Sequence, residues 1–525
     1  MPRQRPAIFL FLFLCVPALC SAGSFDGDWF GGFERTNSRV FVVTHFAVAN
    51  GQTNATIDLI DTAKFIPPQL TGKPLANLEL TPPHGHFELA DPAARLSFDG
   101  QMASGIMIGT VVEGGKDFPF RLDLMAKTHP SRYTGIYQVG PGHFLKIATN
   151  PASLFAFDSQ SGHFNFLLPR AEADFTCGPG VKTYPVEAAI HFATNESGQA
   201  TAIQWKSDNA PALAGSPIKL PEEVVSFKNG ETTLSGTLVL PPTKGPHPAI
   251  VILHGSGPGP RGAYRFIADF FAMNGVAALV YDKRGCGDST GDWHKSGFDD
   301  LAGDALAGLE LLRHLPDINP RQIGLWGASQ GGWLVGLAAS RSTNVAFIIS
   351  VSGPGVTPEV QGVFVIEHRM KTAGYSEAEL QQAFSLYYLD SHCAQTDSGW
   401  DEFTAANKAA KDKPWYDGDV HPYNPGDASL KMWQLIWNYD PQPVLRKVHC
   451  PVLSIFGEKD PLVPAQLSAD IWRSALSMAR NRAVTIKIFP NADHGISDPR
   501  TGLPLPDFFS LERDWLQKNV TIPPE

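Results

Sequence analysis

The chain has 525 residues, too many for one ordinary core, so two or three domains are expected. Its residues are 43% hydrophobic and 18% charged, the composition of a globular protein with ample core-forming material. A formal net charge of −10, without long runs of like charge, argues against a nucleic-acid-binding surface and against a charged interaction tail.

The first residues carry a separate message. Arg3 and Arg5 precede the apolar run Ile8–Leu14, and Cys20-Ser21-Ala22 supplies small residues for cleavage. That is the layout of a secretory signal peptide, residues 1–22, and it implies export to a periplasm or the exterior. Lipid attachment at Cys20 is the rival reading, which Leu19 before it fits poorly. The apolar run is too short for a stable membrane span, and no later segment reaches that length. Removal of this segment leaves Cys177, Cys286, Cys393 and Cys450. Their three pairings and the free thiols all stay open, while their wide spacing lacks the character of a zinc cluster. Asn54, Asn195 and Asn519 open glycosylation sequons, relevant only in a eukaryotic secretory pathway.

Residues 23–217 read as an all-β sandwich or barrel region. Arg39–Phe46, Ala55–Ile60 and Phe118–Leu124 mix alternating, β-branched and aromatic residues, and breaks such as Gly114-Gly115 separate them. A subdivision falls near His129-Pro130. Beyond it come Tyr133-Thr134-Gly135-Ile136-Tyr137, the Leu-Pro step ending Phe164–Pro169, and the strand Gly198–Trp205. This order of aromatics and glycines resembles the small lipocalin-like β-modules appended to many bacterial hydrolases. Asp26-Gly27-Asp28 lacks the downstream acids of a calcium loop, and His84-Gly85-His86 lacks a third ligand. No metal and no cofactor are expected.

Residues 218–525 change character. A hairpin turning at Asn229-Gly230 is followed by apolar runs alternating with helical segments: Ala249–Leu253, Val276–Tyr281, Ile323–Trp326, Val345–Ser350, Val452–Phe456 and Ala483–Phe489. Continuous apolar strands between helices imply a mostly parallel sheet covered on both faces, with its site at the strands' carboxyl ends. The third of these runs ends in Gly327-Ala328-Ser329-Gln330-Gly331, a Gly-x-Ser-x-Gly turn entering a helix. Such a turn holds a serine in a strained conformation at the sheet's edge.

A nucleophilic serine needs a base, an acid and an oxyanion site. His494 follows the last apolar strand, and Asp460 follows the one before it. The order Ser329, Asp460, His494 is that of a hydrolase triad, with Glu458 and Asp493 as local competitors for the acid role. The first oxyanion donor is expected from the backbone of Gln330. The second is expected from the loop His254-Gly255-Ser256-Gly257, with Ser256 as the donor and His254, Gly255 and Gly257 as its support.

These residues, together with Tyr281-Asp282-x-Arg284-Gly285-x-Gly287-x-Ser289, Phe456-Gly457-x-x-Asp460-x-x-Val463-Pro464 and Asp493-His494-Gly495, resemble α/β-hydrolase-fold serine esterases of the dienelactone-hydrolase and prolyl-oligopeptidase-like branch. The resemblance covers about residues 222–520 and implies that Arg284 and Asp288 pin a loop rather than react. Family peptidases carry a β-propeller, and this N-terminal region shows no blade repeat. About a hundred residues intervene between Ser350 and Cys450; 355–448 are aromatic-rich and partly helical, and the family implies a cap over the site. The expectation is an exported serine hydrolase acting on a small-molecule ester, with no nucleic-acid partner and no integral membrane span. A serine peptidase or amidase, and a non-catalytic binding protein on the same scaffold, are the alternatives. Oligomeric state stays open.

Overall fold

The structure is a computed structural model that describes residues 24–522, apart from 37, 50–51, 62–68, 92–93, 150–153, 208–209, 417–425 and 428–429. The expected signal segment, 1–22, lies outside the described residues. The chain divides between Lys127 and Thr128 into two compact units.

The first unit is an antiparallel sheet of nine strands among the described residues. Alternation builds its core. Along Ala94–Ala103 every second residue is buried from Leu96 onward, and Phe98 sits directly opposite Phe87 on the neighbouring strand. The two rings stack with centroids 4.8 Å apart, and Phe33, Phe46 and Phe120 close around them. Gly114-Gly115 turns the hairpin between Ile106–Glu113 and Lys116–Leu124, both glycines at positive φ as such a two-residue turn requires.

The second unit begins with a closed antiparallel barrel of eight strands, residues 135–218. Closure comes from Gly135–Gly140 pairing with Ala210–Ile218. Tyr133, Tyr137, Phe175 and Phe192 fill its interior, and the Tyr137 hydroxyl donates to the Tyr133 carbonyl at 2.8 Å. One outer wall is also dry. Phe157 and Phe164 point away from the barrel core and pack against Phe266, Phe270 and Phe509 of the following α/β layer. Beside them Lys146 Nζ pairs with the buried Asp269 carboxylate at 2.6 Å.

That layer is an eight-stranded sheet. Glu222–Asn229 and Thr232–Val239 form its antiparallel edge; Ala277–Tyr281, His247–Leu253, Ile318–Ala328, Ile348–Val351, Val452–Gly457 and Val484–Phe489 follow in spatial order and run parallel. The strand Ala249–Leu253 shows why an unbroken apolar run belongs here. Ala249, Val251 and Leu253 enter the core on one face, while Ile250 and Ile252 enter the core on the other. Helices Phe298–Arg313, Gln330–Arg341 and Ala465–Met478 cover the first face, and Arg265–Met273 and Pro506–Asn519 cover the second.

Between Ile348–Val351 and Val452–Gly457 the chain forms the helices Pro358–Ala373, Glu377–Thr396, Trp400–Ala410 and Leu430–Ile436. Local chemistry sets their ends. Thr357 caps the first, which has Pro358 at its first position and left-handed Gly374 at its close. Ser376 and Glu379 form a capping box on the second. Met370, Leu380, Leu386, Phe403 and Trp415 make a separate core for this insertion. Trp415 thus packs the insertion itself. Cys177, Cys286, Cys393 and Cys450 are all free thiols.

Candidate active site

The strand Ile318–Ala328 ends at the sheet's carboxyl edge, and the helix Gln330–Arg341 starts one residue later. Ser329 makes the turn alone, with φ 55° and ψ −119°. A non-glycine residue in this region costs on the order of 1–3 kcal/mol, so its surroundings must hold it. They do: the Ser329 N–H donates to the Val351 carbonyl at 2.8 Å, and its carbonyl accepts from the Gly332 N–H at 2.8 Å. The flanking glycines are required by space. A Cβ on Gly327 would lie 2.3 Å from the Gly331 oxygen, and one on Gly331 would lie 2.9 Å from the Leu253 oxygen. The turn therefore presses directly on the loop that follows Leu253.

The strands Val452–Gly457 and Val484–Phe489 are parallel neighbours with Gly457 opposite Phe489, so the loops after them start side by side. This register brings His494 Nδ1 to 2.7 Å from Asp460 Oδ2. Both are buried, Asp460 3% and His494 9% exposed. The other carboxylate oxygen, Oδ1, accepts the backbone N–H groups of Leu462 at 2.8 Å and Val463 at 2.9 Å. These two bonds fix the carboxylate in place and aim Oδ2 at the imidazole. The shared bond fixes the orientation of the His494 ring. A further tie fixes the histidine loop: the Ser352 hydroxyl donates to the His494 carbonyl at 2.8 Å. The competing acids lie elsewhere. Glu458 is half exposed and accepts from the Asn491 N–H, while Asp493 accepts from the Gly495 and Ser497 N–H groups of its own turn. Burial raises the Asp493 pKa.

The loop His254–Pro260 lies against Ser329, and a Cβ on Gly255 would come 3.7 Å from Ser329 Cβ. The Gly255 N–H is used, donating to the Tyr264 hydroxyl at 3.0 Å. The Ser256 N–H has no acceptor among the described residues. Gln330, as the first residue of its helix, has an N–H with no intrahelical acceptor. His254 is fully enclosed between the rings of Tyr264 and Tyr281, and burial, reinforced by the nearby Lys283 charge, pushes its pKa down to about 3. It is a neutral packing residue, not a second base.

The loop after Ala277–Tyr281 is a polar scaffold. Arg284 grips Asp304 with two bonds of 2.8 and 2.6 Å and also donates to Ser296. Asp282 accepts the N–H groups of Arg261 and Asp288, and Arg261 pairs with Asp288. Arg284 and Asp288 are held within this scaffold. Lys283, between these anchors, is buried and donates to the carbonyls of Gly255 and Gly257 and to Gln330 Oε1, each at 3.0 Å. Sequence reasoning missed Lys283, Tyr264 and Ser352. A lysine directly after the apolar run Ala277–Tyr281, before a glycine-rich loop, was the available signal for the first. The other two carried none.

A mostly parallel sheet covered by helices on both faces, with a serine at a strand-to-helix turn on its carboxyl edge, is the architecture of an α/β-hydrolase domain. Residues 250–501 match the model of the Alpha/beta hydrolase family. The chain is 24% identical over 254 residues to the thiohydrolase aneE of Aspergillus aculeatus, a match covering 46% of this chain and 77% of that protein. It is 25% identical over 279 residues to the esterase EstD of Thermotoga maritima, covering 51% of this chain and 60% of that one. A solved structure of the Pyrococcus furiosus esterase Pf2001 is similar with a TM-score of 0.38 and 17% identity, over 57% of this chain and 92% of the other.

Proposed function

We propose that the protein is an exported serine hydrolase of the dienelactone-hydrolase and prolyl-oligopeptidase-like branch that cleaves carboxylic esters through an acyl-enzyme. The buried His494–Asp460 pair, 2.7 Å apart at the carboxyl ends of two parallel strands, with Ser329 at a strained turn of the same edge, carries the reading. Ser329 Oγ attacks the ester carbonyl carbon and gives its proton to His494 Nε2. Charge on the carbonyl oxygen is met by the N–H groups of Gln330 and Ser256. Asp460 holds the imidazolium. Collapse expels the alcohol, which takes the proton from His494, and water then repeats the sequence on the acyl-enzyme to release the acid. The insertion 355–448 bounds the acyl or alcohol pocket as a cap, and the barrel before the sheet is lipocalin-like.

Purified protein assayed on short- and long-chain p-nitrophenyl esters and on peptide anilides, beside Ser329→Ala, tests this. Ester turnover that the variant loses is expected. Hydrolysis of anilides alone would assign the site to peptides, and full activity in the variant would remove Ser329 from the mechanism. Export is tested by N-terminal sequencing of the mature protein, which should begin at Gly23.

A further inference from the structure

Lys283 is 2% exposed, and its ammonium forms no ion pair with any carboxylate among the described residues. All three of its donors are spent on neutral oxygens: Gly255 O, Gly257 O and Gln330 Oε1, each at 3.0 Å. The Trp293 ring lies 5.4 Å from Nζ on another side. Burial pushes its pKa down to about 8, the mark of a charge kept out of water without a counter-ion. Such a charge is costly, and a fold retains it where it organises something.

What it organises is legible from peptide geometry. The Gly255 carbonyl and the Ser256 N–H belong to one peptide group, and in a trans peptide the two point in opposite directions. By holding the Gly255 oxygen, Lys283 turns the Ser256 N–H away from itself. The Gly255 N–H cannot substitute, since Tyr264 holds it. The second oxygen, on Gly257, fixes the far side of the same turn. The third bond reaches the residue after Ser329 and ties the start of the helix Gln330–Arg341 to that loop. Two segments from different strands, each carrying one oxyanion donor, are thus joined by a single ammonium group.

We propose that Lys283 is the positioning residue of the oxyanion site, locking the Ser256 and Gln330 N–H donors into one fixed spacing and adding a fixed positive charge behind them. This rests on the serine-esterase reading. Its contribution belongs to the transition state, in which the carbonyl oxygen becomes an anion, and not to substrate binding.

The test compares wild type with Lys283→Met and Gln330→Met, using p-nitrophenyl butyrate, an alkyl trifluoromethyl ketone that forms a tetrahedral oxyanion on serine, and a fluorophosphonate label. Lys283→Met should lower kcat by about 30- to 100-fold with KM changed by less than about threefold, and weaken the ketone in parallel. Gln330→Met removes one of the three acceptors and should lower kcat by about three- to tenfold, again at constant KM. A folded Lys283→Met enzyme with unchanged kcat, or a loss confined to KM, overturns the proposal. Where Lys283→Met does not fold, unchanged kcat in Gln330→Met overturns it. Wild type that the fluorophosphonate fails to label at Ser329 overturns the esterase reading and this proposal together; labelled wild type with unaffected variants overturns this proposal alone.

Discussion

Trp326 and Glu512, 186 residues apart in the chain, share a 2.8 Å hydrogen bond inside the core that lies behind the strand carrying Ser329. Glu512 is fully buried, its second oxygen has no partner, and burial pushes its pKa from 4.5 up to about 8. The folded state therefore binds a proton that the unfolded state has released over this range. Its stabilising contribution is complete below pH 4.5 and is lost as pH rises toward 8. Glu512→Gln keeps an acceptor for the Trp326 N–H and removes the titration. Relative to the variant, wild type should lose about 1.4 kcal/mol for each pH unit between those two values. Urea unfolding of both proteins at pH 5, 6.5 and 8 measures the gap; a constant gap would show that Glu512 is ionised in the fold.

Asp460→Asn separates geometry from charge at the His494 contact. The new side chain can still offer an oxygen to the Leu462 and Val463 N–H groups, which turns its amide N–H toward His494 Nδ1. Nδ1 must then accept, and the ring proton moves to Nε2, where it blocks removal of the Ser329 proton. A fall in kcat of roughly 10²–10⁴ is expected, with the fold retained. Steady-state kinetics with circular dichroism on the same sample decide it. An active Asp460→Asn enzyme would make another carboxylate the partner.

The readable part of this chain is the part written in period and order. Ala249–Leu253 is apolar throughout because both its faces are buried, and that pattern needs no tertiary information. Parallel strands gather their carboxyl ends on one edge, so chain order alone predicts that Asp460 and His494 lie side by side, as their 2.7 Å contact shows. Lys283 was opaque for the opposite reason. Its burial depends on three oxygens from two other segments, and in sequence it looks like any solvated lysine beside a turn. Glu512 misleads in the same way, sitting in an amphipathic helix as though on its wet side while the strand Ile318–Ala328 offers it an indole. Phe157 and Phe164 serve the barrel's outer wall, where their partners come from the following α/β layer, which no local pattern in their strands announces.

Ser352 supports the His494 loop from behind. It has φ 49°, is 1% exposed, and its hydroxyl meets the His494 carbonyl at 2.8 Å. Ser352→Ala removes this buried hydrogen bond, so stability should fall by about 1–2 kcal/mol. The loop loses one of its fixings, and kcat should drop by about tenfold or less at unchanged KM. Denaturant titration and kinetics read the two effects separately. A rise in KM with kcat intact would mean that Ser352 shapes the pocket instead.

The aromatic seam between barrel and sheet yields the last prediction. Phe157 is fully buried, with Phe509 at 5.0 Å and Phe266 at 5.1 Å between ring centroids, and Lys146 pairs with Asp269 beside it. A barrel fastened through such a seam unfolds with the sheet it covers rather than alone. Phe157→Ala empties a large buried volume that rigid neighbouring rings cannot refill, and should cost about 3–5 kcal/mol. Hydrogen exchange localises the loss. Amides of the barrel strand Leu154–Asp158 and of the helix Arg265–Met273 should lose protection together in the variant. Loss confined to the barrel strands would show that the barrel opens on its own and that the seam is not a shared core.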